Sequence, residues 1–168
     1  DIGAGSGVIS ITIAKEKPDS KILGIDISDN ALEIANKNKG LLKADNVKFL
    51  KSNLFQEVNY HSFDMIISNP PYIPKSEYET LSDDVRMHEP EEALTAENEG
   101  LFFYYEISKN ASDYLKNGGK AFITSIYTGT VLPNFNSVLE YYGASPMDSV
   151  VVEGNSSYYH PQSPLYLL

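Results

Sequence analysis

The sequence predicts an α/β fold in which helices cover both faces of a mostly parallel sheet. Short apolar runs alternate with segments of helical periodicity, which is typical of parallel strands joined by crossover helices. A glycine-rich turn at 3–7 stands where such a fold joins a strand to a helix. An acidic residue, Asp26, ends the next apolar run, as expected at the edge of such a sheet.

The first part of the chain predicts alternating elements. Residues 8–15 are predicted to form a helix, and residues 21–26 a short buried strand. Ser28 suits the N-cap of the following helix, because its hydroxyl can accept a backbone N–H bond. Two further strands are predicted at 47–50 and 63–68.

The second part of the chain is less regular. Residues 70–98 show no clear periodicity, and a segment of that length is usually a functional or mobile loop. The remaining predicted elements are a helix at 101–115 stopped by Asn117-Gly118-Gly119, a strand at 120–126, a helix at 133–142, and a closing antiparallel pair at 149–152 and 165–168.

The composition restricts the class of protein. A length of 168 residues, 42% of them hydrophobic, fits one domain with one core. The chain contains no cysteine, which excludes thiolate metal sites and favours a reducing compartment, so we expect a cytoplasmic protein without a metal centre. No apolar stretch approaches the ~20 residues of a membrane span. The net charge of -10 counts against direct nucleic-acid binding.

The glycine-rich turn is a candidate ligand site. It consists of Gly3, Ala4, Gly5, Ser6 and Gly7. Glycines at this spacing allow a tight turn and a close approach of the backbone to a ligand, and the helix start offers free N–H groups. Dinucleotide enzymes bind a pyrophosphate at such a turn, whereas methyltransferases bind S-adenosylmethionine. A glycine-rich turn without a ligand is the alternative.

Asp26 is a candidate ribose ligand. A carboxylate at this strand end can accept hydrogen bonds from both ribose hydroxyls. Nicotinamide enzymes use the same arrangement, so Asp26 does not separate the two classes. The alternative is an aspartate that only caps the helix beginning near Ser28.

The tetrapeptide Asn69-Pro70-Pro71-Tyr72 follows directly after the 63–68 strand. Ligands of open α/β sheets bind beyond such strand ends, and two prolines stiffen the loop. An asparagine side-chain oxygen and a nearby backbone carbonyl can together accept both N–H bonds of one NH₂ group. Such acceptors would orient a planar nitrogen and stabilise the positive charge that methylation creates. Tyr72 can pack on the planar group; a proline-rich turn without function is the alternative.

Together these motifs resemble the HemK/PrmC-type N5-glutamine methyltransferases of peptide-chain release factors, which are Rossmann-like class I S-adenosylmethionine-dependent enzymes. The matching segments are Gly3–Gly7, Asp26, Asn53-Leu54-Phe55, Asn69-Pro70-Pro71-Tyr72-Ile73-Pro74, Val85-Arg86-Met87-His88-Glu89-Pro90, Ala93-Leu94 and Glu99-Gly100-Leu101. Asn-Pro-Pro-Tyr is shared with DNA adenine methyltransferases, whereas the His-Glu-Pro stretch is more specific to this family.

The resemblance implies a cofactor site and a substrate site. The cofactor, S-adenosylmethionine, would be bound by Gly3, Ala4, Gly5, Ser6, Gly7, Asp26, Asn53, Leu54 and Asn69. The catalytic residues would be Asn69, Pro70 and Tyr72, which together with Pro71 would also bind the substrate. The substrate implied is a glutamine amide in a peptide-chain release factor. His88 and Glu89 would lie on a covering loop, where packing rather than proton transfer is expected of His88.

The chain opens inside the glycine motif, without the strand that should lead into Asp1. We therefore expect residues 1–168 to be one methyltransferase domain truncated at its N-terminus, lacking a central strand and the family's N-terminal helical docking domain. The missing strand would leave unpaired backbone groups on two neighbouring strands. Departures from the family's pattern begin after Ile123.

Three other functions remain open. An exocyclic amine of adenine in nucleic acid could be the acceptor, although the acidic composition counts against it. A nicotinamide-dependent dehydrogenase is a second alternative, but the Asn-Pro-Pro-Tyr loop has no role in one. The third is a non-catalytic fragment that binds S-adenosylmethionine weakly or not at all.

Overall fold

The structure, a computed structural model, describes residues 1–124, and these divide into two compact units. The first unit comprises Asp1–Pro70 and Asn110–Ile123, and the described part of the second comprises Pro71–Lys109 and Thr124. The elements predicted at 133–142, 149–152 and 165–168 lie outside the described residues.

Eleven helices and strands occur within residues 1–124. In chain order they are α1 (Val8–Glu16), β1 (Ile22–Asp26), α2 (Asp29–Leu42), β2 (Val47–Lys51), β3 (Phe63–Ser68), β4 (Ile73–Pro74), α3 (Asp83–His88), α4 (Glu91–Leu94), β5 (Thr95–Ala96), α5 (Phe102–Tyr114) and β6 (Leu115–Ile123). A 3₁₀-helix at Lys75–Thr80 follows β4. The elements predicted before residue 69 are confirmed with small changes at their ends.

The first unit is built on a parallel sheet. β1 pairs with β2, and β3 pairs with β6. Ile2 joins these two pairs, because it bridges Ile25 of β1 on one side and Ser68 of β3 on the other, both in parallel orientation. The strand order is therefore β2, β1, the segment at Ile2, β3, β6, and the predicted parallel sheet is confirmed.

Helices α1 and α2 pack against this sheet through small and branched residues. One core cluster consists of Ile11, Ala14, Ala44 and Val47, with Ile22 and Phe49 packed against it. The cluster joins α1 to the start of β2, and burial of such apolar surface is the main stabilising term in a core of this kind.

The ring of Phe49 fills the space between the glycine turn and β1. A Cβ atom at Gly7 would lie 2.7 Å from Cζ of Phe49, and one at Gly24 would lie 2.6 Å from the same ring. Both distances are too short for any real pair of carbon atoms. The two glycines therefore make room for one aromatic side chain.

Ser28 caps α2 as predicted. Its hydroxyl accepts the backbone N–H of Ala31 at 3.3 Å, which satisfies one of the unpaired donors of the first turn. The helix starts at Asp29, so its first turn carries a negative charge that favours the helix dipole.

The second unit corrects the prediction of a long loop between residues 70 and 98. This segment contains two short helices, a 3₁₀-helix and two two-residue strands. β4 pairs with β5 in parallel, with Ile73 opposite Thr95 and Pro74 opposite Ala96. Each element is shorter than the window over which hydrophobic periodicity can be recognised, which explains why the sequence pattern missed them.

The end of α5 also differs from the prediction. The helix ends at Tyr114, before the predicted stop at Asn117-Gly118-Gly119. The Tyr114 ring stacks at 4.4 Å on Phe55 and at 4.4 Å on His61, which fixes this point of the chain. Gly118 lies within β6 at a φ of 79°, close to a shift in the β3–β6 register. The glycine accommodates a bulge rather than a helix end.

No helix among residues 1–124 is long and apolar enough to cross a lipid bilayer.

Candidate active site

The predicted site segments of the first unit leave the sheet at one level. Ile2 bridges both Ile25 and Ser68, so these three residues form one row across the sheet. The next residues along the chain are Gly3, Asp26 and Asn69. Adjacent strands are about 4.8 Å apart, so the glycine turn, the carboxylate and the asparagine start side by side at the same edge.

Two hydrogen bonds fix the alignment of the glycine turn with β3. The Ile2 N–H donates to the Ile67 carbonyl at 2.8 Å. The Ser68 hydroxyl, fully buried, donates to the Ile2 carbonyl at 2.8 Å. Ser68 was not singled out from the sequence, because a serine at a strand end has many common roles.

The glycine turn has an open backbone. Gly3, Gly5 and Gly7 have φ angles of 71°, 54° and 82°, values that residues with a side chain rarely adopt. A Cβ atom at Gly3 or Gly5 would meet no atom within 4 Å. At these two positions glycine therefore leaves free space along the backbone, where a ligand can approach closely.

Asp26 holds the turn through backbone hydrogen bonds. One carboxylate oxygen accepts the Gly5 N–H at 2.8 Å, and the other accepts the Ser28 N–H at 2.9 Å. The Ser28 bond is the capping contact of the alternative interpretation, and the Gly5 bond joins the carboxylate to the turn. The side chain is half-buried, and a carboxylate has about four acceptor positions, so capacity for further donors remains.

Asp1 is a further residue that sequence reasoning did not assign, and it supports the segment that leads into the glycine turn. Its Oδ2 accepts bonds from the Ser10 backbone N–H at 3.1 Å and from the Ser10 hydroxyl at 2.7 Å. These bonds join the start of the segment that leads into the glycine turn to the first turn of α1. The signal in the sequence is a carboxylate two residues before the first glycine.

A shallow cleft of about 520 Å³ continues from the end of β1. Its lining residues are Ile27, Leu50, Lys51, Asn53, Glu57 and Asn59. Ile27 directly follows Asp26 and is 61% exposed, which is unusual for a large apolar side chain at a strand end. It gives the cleft an apolar wall that sequence reasoning missed, although an isoleucine next to a site aspartate is a usable signal.

The Ser52 side chain holds the loop that carries Asn53 and Leu54. The buried Ser52 hydroxyl donates to the Leu54 carbonyl at 2.6 Å and accepts the Glu57 N–H at 3.1 Å. Leu54 has a left-handed backbone with a φ of 49°. Strain of this kind persists only where surrounding contacts impose it. Ser52 supplies two such contacts.

A separate apolar cavity of about 110 Å³ is lined by residues of β1 and β3 together with Phe55 and Val58. Its walls are largely hydrocarbon, so it offers no arrangement of polar groups for catalysis.

The Asn-Pro-Pro-Tyr motif begins in the first unit and continues in the second. Asn69 is exposed and Pro70 is buried, and both belong to the first unit. Pro71 and Tyr72 begin the second unit. Within that unit Tyr72 is half-buried, and burial raises the pKa of its phenol. The phenol therefore stays neutral at physiological pH.

His88 and Glu89 lie at the end of α3 and are exposed. His88 Nδ1 is 2.8 Å from the Asp84 carbonyl of the same helix, so it donates there in the tautomer that carries the proton on Nδ1. Arg86 pairs with Glu79 at 2.8 Å and with Asp83 at 2.5 Å. The Glu79 pair connects α3 to the preceding 3₁₀-helix, and the Asp83 pair lies within α3.

Solved structures show the same fold. The ribosomal protein L11 methylase of Lactobacillus delbrueckii subsp. bulgaricus aligns with a TM-score of 0.60 at 22% identity, over 84% of this chain and 57% of that one. A methyltransferase from Pyrococcus furiosus aligns with a TM-score of 0.59 at 21% identity, over 81% of this chain and 58% of that one. The predicted Rossmann-like class I methyltransferase fold is confirmed.

Curated relatives carry the name that the sequence motifs suggest. The release factor glutamine methyltransferase of Fusobacterium nucleatum is 52% identical over 120 residues, which is 71% of this chain and 34% of that protein. The enzyme of the same name from Shewanella oneidensis is 41% identical over 119 residues, 71% of this chain and 41% of that protein. The chain spans less than half the length of either relative, and the resemblance is confirmed.

The family model described as "Methyltransferase small domain" matches residues 1–96, which contain the glycine turn, Asp26 and the whole Asn-Pro-Pro-Tyr motif. This match covers more than half of the chain and all three of the motifs on which the site was predicted. The chain therefore belongs to the methyltransferase small domain family.

Proposed function

We propose that this chain is the catalytic part of a methyltransferase that uses S-adenosylmethionine to methylate the side-chain amide nitrogen of a glutamine in a peptide-chain release factor. The observation that carries the proposal is the row of Ile2, Ile25 and Ser68. One residue beyond this row, at the same edge of the sheet, the glycine turn and the Asn-Pro-Pro-Tyr motif begin side by side.

The first unit fits the cofactor. The space beside Gly3 and Gly5 suits a ligand that must lie against the backbone. Asp26 has acceptor capacity for ribose hydroxyls, and the adjoining cleft offers the Ile27 side chain for a flat ring and Asn53 for its polar edge. When bound, S-adenosylmethionine would supply an electrophilic methyl group.

Asn69 and the Pro70 carbonyl would hold the acceptor amide. An amide nitrogen is a poor nucleophile, because its lone pair is delocalised into the neighbouring carbonyl. Two acceptor oxygens that bind both amide hydrogens fix the direction of the nitrogen and stabilise the positive charge that grows on it. The two prolines restrict the backbone between Asn69 and Tyr72, so these acceptors need little rearrangement during the reaction.

The proposed reaction requires no strong base. A methylated amide nitrogen that carries a positive charge is a strong acid, so water can accept its proton after transfer. This agrees with the exposed position of His88 and with a neutral Tyr72, which would act as a packing surface for the planar amide.

A protein substrate is favoured over nucleic acid by two observations. The curated relatives described above are named for release factor glutamine methylation. The net charge of -10 would repel a phosphate backbone. The substrate assignment comes from those names and from the motif that matches them.

A labelled-methyl assay tests the proposal. The chain is incubated with methyl-labelled S-adenosylmethionine and either a release-factor domain containing the Gly-Gly-Gln sequence or a DNA duplex. The proposal expects label in the release-factor domain, and no label when the glutamine of that sequence is replaced by alanine. Label in DNA only, or in neither substrate while S-adenosylhomocysteine still binds, would contradict it.

Asn69→Ala is the decisive variant. Removal of one of the two amide acceptors should reduce kcat by about 100-fold or more, the usual cost of losing one transition-state hydrogen-bond partner. Binding of S-adenosylhomocysteine, measured by calorimetry, should stay within a few fold of the parent. Asn117→Ala, at an exposed position of β6, is the matched control and should keep the parent rate. An Asn69→Ala protein with the parent kcat would disprove the role of Asn69.

A further inference from the structure

Within the second unit, three consecutive residues before α5 have a left-handed backbone. The φ angles of Asn98, Glu99 and Gly100 are 53°, 54° and 81°. Left-handed conformations are costly for residues with a side chain, and two of these three have one. A turn of this kind persists only where neighbouring contacts hold it.

Two backbone hydrogen bonds close the turn, one inside the other. The Leu101 N–H donates to the Asn98 carbonyl at 3.0 Å, and the Phe102 N–H donates to the Glu97 carbonyl at 3.2 Å. On its N-terminal side the chain leaves β5, where Thr95 and Ala96 are buried and paired with β4. The turn is thus anchored to the strand that immediately follows Tyr72.

Gly100 is in direct contact with the Tyr72 peptide. A Cβ atom built at Gly100 would lie 2.1 Å from the Tyr72 carbonyl oxygen, 3.0 Å from the Tyr72 carbonyl carbon and 3.5 Å from Cδ of Pro74. Gly100 is itself buried, so its neighbours have little freedom to move aside. The collision would be with backbone, which cannot rotate away as a flexible side chain can.

We infer that Gly100 is a positioning residue that fixes the Tyr72 peptide, and with it the Pro71-Tyr72 part of the motif, for methyl transfer. This inference rests on the proposed function. Gly100 would touch neither substrate nor cofactor. It acts because only a residue without a side chain lets the turn lie against the Tyr72 carbonyl.

The expected size of the effect follows from the distance. Relief of a 2.1 Å contact requires a shift of roughly 1 Å between the turn and the Tyr72 carbonyl, because Cβ atoms approach oxygens to little less than about 3 Å. A displacement of about 1 Å at a reacting group can cost about 100-fold in rate. Gly100→Ala should therefore reduce kcat by about 30- to 100-fold.

A glycine can also be required only for its φ angle, and Gly118 provides the matched control. Its φ is 79°, close to that of Gly100, but a Cβ atom there would meet nothing within 4 Å. Alanine at either position carries the same backbone strain, and only Gly100→Ala adds the collision with Tyr72. A difference in kcat between the two variants therefore measures the contact and not the strain.

The experiment compares the parent chain, Gly100→Ala and Gly118→Ala in the labelled-methyl assay, with thermal melts and calorimetry on S-adenosylhomocysteine. We expect Gly100→Ala to lose more stability than Gly118→Ala, because it adds the collision, and both variants to bind S-adenosylhomocysteine within threefold of the parent. Only Gly100→Ala should lose kcat, with a KM for the release-factor domain changed by less than fivefold. Equal kcat values for the two variants would overturn the inference.

A measurement on the parent protein covers the case in which Gly100→Ala does not fold. Gly100 α-protons should show a nuclear Overhauser effect to the Pro74 δ-protons, and its absence would overturn the inference. Failure of the proposed function looks different, because then the parent chain itself transfers no label to the release-factor domain.

Discussion

The two units of the described chain are built in different ways. The first unit contains helices and strands of 5 to 14 residues, and its strands form a parallel sheet. Each strand pairs regularly with its neighbour, except for a register shift at the start of β3. In the second, two strands of two residues each and helices of four and six residues stand between Ile73 and Ala96. The first unit relies on repeated strand pairing, and the Ile73–Ala96 part of the second on a few specific contacts.

This difference separates two functional tasks. The proposed cofactor ligands follow regular elements, so their positions are set by many contacts at once. Tyr72 is held through the β4–β5 pair and the contact with Gly100. Substitutions of Asp26 and of the glycine turn in the first unit should therefore change cofactor affinity, and variants in the second unit should change transfer or stability while cofactor affinity stays the same.

Asp26→Ala should give the largest effect of the variants that probe this comparison. It removes the acceptor of the Gly5 and Ser28 N–H bonds as well as the proposed ribose ligand. Hydrogen bonds to a charged group contribute about 1.5–3 kcal/mol each, so the affinity for S-adenosylhomocysteine should fall by about 100-fold, measured by calorimetry. Asp45→Ala, at an exposed position outside the site, should leave it unchanged. An unchanged affinity in Asp26→Ala would show that the turn is not the cofactor site.

Tyr104→Phe tests how the second unit is held. Tyr104 is 2% exposed, and its hydroxyl donates to the Thr124 carbonyl at 2.8 Å. Loss of this bond should lower the free energy of unfolding by about 1 kcal/mol at pH 7, measured in urea, with cofactor affinity unchanged. A change in cofactor affinity would contradict the separation of tasks.

The same variant has a predicted pH dependence. Burial, together with the nearby Tyr72, raises the pKa of the Tyr104 phenol above its ordinary value. A raised pKa means that the folded state keeps a proton that the unfolded state releases near pH 10. Stability from this group is therefore complete below about pH 10 and is lost as the pH rises towards the folded pKa. Tyr104→Phe should show a shallower decline above pH 10 than the parent.

Arg86→Lys should give the smallest effect. Arg86, the only arginine in the sequence, pairs with both Glu79 and Asp83 and is about one-third exposed. Lysine cannot reproduce the two-pronged geometry, but partly exposed ion pairs contribute little, so the free energy of unfolding should fall by less than about 1 kcal/mol. Lys75→Ala, which breaks a more exposed pair with Glu97, should cost still less. A loss of several kcal/mol in Arg86→Lys would show that these pairs organise the unit.

Most of the first unit could be predicted from the sequence because its elements are long enough to show their period. The strand ending at Ser68 and the cap at Ser28 have clear local signals: a continuous apolar run and a hydroxyl before a helical pattern. The glycine turn and Asp26 could be recognised as a candidate site for the same reason, because the strand ends that they follow could be located.

The rest could not be predicted, because it depends on contacts between distant residues. The Ser68 hydroxyl donates a hydrogen bond to the Ile2 carbonyl, 66 positions away, and no sequence pattern near either residue predicts this bond. The need for glycine at position 100 comes from its contact with the Tyr72 carbonyl. That contact depends on the pairing of β4 with β5, which the sequence does not show. Two-residue strands have no period, so the sequence pattern of residues 70–98 predicts a loop.

Phe49 constrains the order in which this protein can change. Nothing in the backbone at Gly24 forbids a side chain, yet the Phe49 ring and the Ser10 hydroxyl occupy the space that one would need, at 2.6 and 2.8 Å. An alanine at position 24 becomes acceptable only after the ring at position 49 has become smaller and the Ser10 hydroxyl has turned away or been lost. The order of substitutions at these positions is therefore constrained, since the neighbours have to change before position 24 can.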